Sequence, residues 1–149
     1  MFRMHVATIA ALALAVNFAQ ADDARVTIVS ILASSNHQNI DPKLQQVAAE
    51  VRKHEQGLTG FKLYNSQVKS VNVGQKEKFD LVSDASADVT VLAKDEAKKR
   101  MSLTVKPPTM GEITYSTSYD KYFPIVTRHM VANERLIIAI MVQPPKDGK

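Results

Sequence analysis

The sequence predicts an α+β fold: one amphipathic helix packed on a mostly antiparallel sheet or small β-sandwich of about seven to nine strands. Three observations predict it. One segment alone has helical periodicity, most of the remainder alternates with a period of two, and the two terminal segments of the folded part are apolar almost throughout. Strands of that last kind are covered on both faces.

The chain begins MFRMHVATIAALALAVNFAQA, with Arg3 ahead of an apolar run over 6–16 and the small-x-small triplet Ala19, Gln20, Ala21 before Asp22. This is the layout of a secretory signal peptide, so residues 1–21 are set aside from the fold. The run is short of the ~20 apolar residues that cross a bilayer, and no transmembrane span is expected after cleavage. Residues 22–149 then form a single α+β domain ending in a frayed tail over 144–149, and the expected location is exported, periplasmic or secreted. An alanine-rich leader and the absence of cysteine together suit a bacterial cell-envelope protein.

Residues 25–34, RVTIVSILAS, mix apolar side chains on both alternations and predict a central strand. At 41 the period changes. Leu44, Val47, Ala48 and Val51 stand at i, i+3, i+4 and i+7, which predicts a helix over about 42–56. Asp41 suits its N-cap and Pro42 its first position, Arg52 and Lys53 complement the negative end of the dipole, and Gly57 is expected to stop it. The stretch over 34–44, SSNHQNIDPKL, is therefore chiefly a strand-to-helix connection whose polar residues serve the backbone.

Alternation then returns. FKLYNSQVKSVNV offers Phe61 with Leu63 and Val71 with Val73, and KFDLVS offers Phe79 with Leu81. In ADVTVLAK and KRMSLTVK, Val89, Val91 and Ala93 are expected to face Met101, Leu103 and Val105, leaving Thr90, Arg100, Ser102, Thr104 and Lys106 outward. EITYSTSY alternates Ile113, Tyr115, Thr117 and Tyr119, and a turn at Asp120 and Lys121 leads to FPIVTR, where Pro124 predicts an edge or a strand start. RLIIAIMVQ closes the domain beside the first strand.

Composition narrows the chemistry. With no cysteine there is no disulfide, thiol nucleophile or cysteine zinc site. The formal charge of +4 is spread along the chain, without the concentrated basic, aromatic-interleaved patch of a nucleic-acid binder. No HxH, HExxH or GxSxG spacing occurs, so no cofactor or metal is expected. The polar pair His37 and Asp41, with His129 brought near by folding, is the alternative: a small metal-dependent or hydrolytic enzyme.

Two clusters are candidate interaction surfaces. Three of the four tyrosines, Tyr115, Tyr119 and Tyr122, fall beside Phe123. Tyrosine joins apolar area to a polar tip, but inward positions on an alternating strand make Tyr115 and Tyr119 core residues first. The run KDEAKKR carries Lys94, Lys98, Lys99 and Arg100 at a hairpin tip, where a solvated turn is the plainer reading.

The order of a first apolar strand, the NHQNIDPKL helix entry, the strand FKLYNSQV, hairpins and the closing NERLIIAIMV resembles a loose group of small exported bacterial proteins of unknown function. That resemblance implies architecture and carries over no functional residues. The arrangement of one helix on an antiparallel sheet is also similar to the cystatin-like one, which would make the loop over 68–74 an inhibitory element, although QVKSVNVG lacks the Q-x-V-x-G spacing. The function expected is an exported, non-catalytic interaction module of the cell envelope with an envelope or secreted protein as partner.

Overall fold

The computed structural model describes residues 23–145. The leader over 1–21 and residues 146–149 of the expected tail lie outside the described residues. In chain order the elements are β1 (Asp23–Ser34), a 3-10 turn (Pro42–Leu44), α1 (Gln45–Arg52), β2 (Gly60–Asn72), β3 (Lys76–Asp80), β4 (Ser86–Asp95), β5 (Arg100–Lys106), β6 (Ile113–Ser118), β7 (Phe123–Val131) and β8 (Glu134–Gln143). They make two four-stranded antiparallel sheets, the first in the order β2-β1-β8-β7 and the second in the order β3-β4-β5-β6.

The apolar character of both terminal strands follows from their place. β1 runs antiparallel to β8, from Arg25 opposite Gln143 to Ala33 opposite Arg135, and β2 flanks its other side. Ala24, Val26, Ile28 and Leu32 point toward the second sheet with Leu136, Ile138, Ile140 and Val142 of β8. The alternate residues Val29, Ile31, Ala33, Ile137 and Ala139 point the other way, against Leu44, Val47, Ala48 and Val51 of the helical segment. The result is three layers, helix on sheet on sheet, and a central strand pair with no wet face. Each fully buried isoleucine there contributes about 1.5–3 kcal/mol from burial.

The helix is shorter than its periodicity predicts. Asp41 does cap: its Oδ1 accepts from the Lys43 N–H at 2.9 Å, with Pro42 in the first turn, but the turn it caps is 3-10. The α-helix proper spans Gln45–Arg52, and Gly57 is not its left-handed stop, since Gly74 is the one described glycine with positive φ, at 88°. The chain leaves the helix through bonds from the His54 and Glu55 N–H groups to the Val51 carbonyl, and Leu58 then packs beneath the helix. Burying Leu58 turns the chain back before another helical turn can form.

Two bulges alter the expected facing. In β4 the register with β5 shifts between Val91 and Ala93. Val89 and Val91 face Val105 and Leu103 as expected, but Ala93 lies opposite Ser102 and is exposed. In β2 the register with β1 shifts between Leu63, opposite Ile31, and Asn65, opposite Ser30. Val73, expected inward with Val71, sits exposed in the turn after β2. A third irregularity, in β7 between Val126 and Met130, is stabilised by Thr127. Its buried hydroxyl donates to the Leu136 carbonyl at 2.6 Å and accepts from the His129 N–H at 3.1 Å, taking the place of ladder bonds.

Candidate functional site

A sheet edge is a row of main-chain donors and acceptors, and chains normally blunt it with prolines, charges, bulges or short length. Of the four edges here, β7 carries Pro124 and a bulge, β3 has five residues including Lys76 and Lys78, and β6 has six. The fourth, β2, is thirteen residues long and contains no proline. Its first turn is covered: Ile40 bridges Phe61 in parallel, with Asp41 N–H donating to the Phe61 carbonyl and Phe61 N–H to the Asn39 carbonyl. From residue 65 to 72 its ladder with β1 runs without interruption, and on its other side no strand pairs with it among the described residues.

The side chains of this run divide cleanly. Asn65 and Lys69 bridge to the second sheet, the former through its Nδ2 to the Leu81 carbonyl and the latter through its Nζ to the Lys78 carbonyl. The Gln67 Oε1 beside them is buried without a hydrogen-bond partner. Ser66, Val68 and Ser70 lie on the opposite face and are exposed. Val68 is 47% exposed and Tyr64, at the bulge, 52%, so two large apolar side chains stand in water on one edge strand.

A concavity lies between the helix and the outer face of the first sheet. It measures about 160 Å³ and is lined by Val29, Leu44, Val47, Leu63, Ala139 and Tyr122, with the exposed Lys43 and Ser66 beside it.

Tyr115, Tyr119 and Phe123 are half-buried and pack against the core between the sheets, while Tyr122 packs against the helix-side core. Tyr115 stacks on Phe123 with ring centroids 3.9 Å apart and 14° between planes. Burial pushes the Tyr115 phenol above its ordinary value of 10.0, and its hydroxyl is enclosed without a hydrogen-bond partner. The folded protein therefore holds that proton more tightly than the unfolded chain. Its contribution is fully present below about pH 10 and is lost as the pH rises beyond it. Tyr115→Phe is expected to raise stability near neutral pH by about 1–2 kcal/mol, because a buried unpaired hydroxyl is removed. It should also flatten the alkaline fall in stability relative to the parent, as read by urea unfolding at pH 8 and above 10.

The basic run does not form one charged face. Lys94 turns inward, its Nζ 3.1 Å from the Asp23 carbonyl and 3.5 Å from Glu96. Lys98 and Lys99 are exposed in the turn, where Lys99 takes a φ of 51°. Arg100 is engaged by β6, donating to the Ser116 carbonyl and the Ser118 hydroxyl at 3.0 Å each.

His37 is held by its surroundings. Its Nδ1 accepts from the Asn39 N–H at 3.2 Å, its carbonyl accepts from the Thr59 hydroxyl at 2.6 Å, and its ring covers Gly60, where a Cβ would lie 2.2 Å from it. Asp41 serves the 3-10 turn. The fold does not bring His129 to this pair: His37 lies against β2 and His129 is on β7, three interstrand spacings away, or roughly 14 Å. No group of three or more His, Cys, Asp or Glu that could hold a metal occurs among the described residues. The segment over 68–74 is strand through Asn72, with a turn fixed by the Gly74 N–H on the Val91 carbonyl.

Sequence reasoning missed Tyr64 and Val68 as a surface. The signal was present, since both fall on the alternation opposite to Phe61, Leu63 and Val71. No helix among the described residues is long and apolar enough to cross a membrane. No known family matches the chain, and no curated protein or solved structure is significantly similar to it.

Proposed function

We propose that the mature chain is an exported, non-catalytic interaction module of the bacterial cell envelope, and that it engages a protein partner by strand addition at β2. The observation that supports this reading is the β2 edge, which at thirteen residues is longer than the other three, contains no proline and carries exposed Tyr64 and Val68. Strand addition draws affinity from main-chain hydrogen bonds and specificity from alternate side chains, and both are on offer there. The leader at 1–21 supplies the route.

The test is affinity capture from native envelope fractions, comparing the parent with Val68→Lys, which places a charge on the edge without touching the core. The parent is expected to retain a partner that Val68→Lys loses. Recovery of nothing above control by the parent, or equal recovery by both, would count against the reading.

A further inference from the structure

We infer that the occupant of the β2 edge is a second copy of this chain, paired antiparallel across a two-fold axis at Val68. The inference rests on β2 being the interaction edge and adds the identity of the partner.

A two-fold axis demands that a strand be complementary to its own reverse. The straight run over 65–72 meets that demand when centred on Val68. Val68 then lies opposite Val68 of the second copy, Ser66 opposite Ser70, Gln67 opposite Lys69 and Asn65 opposite Val71. On the exposed face, an aliphatic side chain that is 47% exposed covers its own equivalent, flanked on each side by a pair of hydroxyls, and no charge is present. On the other face Lys69 meets a carboxamide rather than another lysine. That carboxamide belongs to Gln67, which like Lys69 is half-buried on the face toward the second sheet.

Two of the neighbouring registers are worse. An axis at Lys69 sets lysine against lysine, a direct like-charge repulsion. An axis at Ser66 brings in the bulged Tyr64, where the ladder is irregular. Pairing at Val68 joins the two first sheets into one continuous eight-stranded sheet, doubling the four strands of each. Because one edge buries less than the ~1,200 Å² of a standard stable interface, the association is reversible and concentration-dependent.

The chain has no cysteine, so a single introduced thiol reports its own symmetry mate. In Val68→Cys the paired Cβ atoms stand about 4.5–5.5 Å apart, close to the separation a disulfide bridges after small adjustment. In Ser70→Cys the equivalent atoms are roughly 13 Å apart along the strands. Mild oxidation is expected to give a covalent dimer from Val68→Cys and at least tenfold less from Ser70→Cys. Sedimentation of the parent should show mass rising with concentration, and Val68→Lys should remain monomeric with an unchanged unfolding midpoint.

A parent that stays monomeric up to about 1 mM overturns the self-pairing. So does cross-linking of Ser70→Cys as fast as Val68→Cys. If the parent is monomeric yet captures an envelope partner that Val68→Lys loses, the edge reading stands and self-pairing falls. If Val68→Lys changes neither mass nor capture, both fall.

Discussion

Phe79→Ala is expected to destabilise the domain by about 3–5 kcal/mol, the range for truncating a buried phenylalanine. Phe79 is fully buried and is the sole buried residue of β3, whose pattern is otherwise exposed or half-exposed. Its neighbour across the ladder is Ala87, too small to fill the space left behind. The ring also carries the Lys69 ammonium 5.2 Å from its centroid, a contact that ties β3 to β2 of the other sheet. Urea unfolding followed by circular dichroism measures the loss. A cost below about 1 kcal/mol would mean that β3 is not docked as described.

The second large effect separates the two cores. Ile137 and Ile138 are adjacent in β8 and fully buried, yet Ile138 points between the sheets and Ile137 beneath the helix. Each truncation to alanine is expected to cost about 2–5 kcal/mol. Their local signatures should differ. Ile137→Ala should speed amide exchange in α1, because that helix has eight residues and depends on its apolar face for stability. Ile138→Ala should leave α1 exchange tied to global unfolding and loosen β4 and β5 instead. Identical exchange maps for the two variants would contradict a three-layer arrangement.

What could be read from the sequence is what burial writes into it. The saturation of β1 and β8 with apolar residues announced strands covered on both faces, and Leu44, Val47, Ala48 and Val51 announced the helix that covers one of them. Bulges were not legible because they leave the alternation intact while changing what it means. In β2, Phe61 and Leu63 face the helix, whereas Val71, on the same alternation, faces the second sheet. A residue inserted at Tyr64 reverses the faces without leaving a mark on the pattern. Gly57 misled for a related reason, since it is a sufficient stop for a helix that Leu58 had already drawn to a close. The candidate edge was hidden more deeply, because strand order decides which strand lies outermost, and order is a property of long-range pairing.

The pairing of β1 with β8 also sets a timetable. Arg25 lies beside Gln143, so the strand made first finds its central partner only when nearly the whole chain is present. Until then Val26, Ile28, Ile31 and Leu32 have β2 on one side and nothing permanent on the other. Contacts so far apart in sequence make closure slow relative to local hairpins such as β4 with β5. The fold thus carries its own delay: the core between the sheets stays open until β8 arrives to close it.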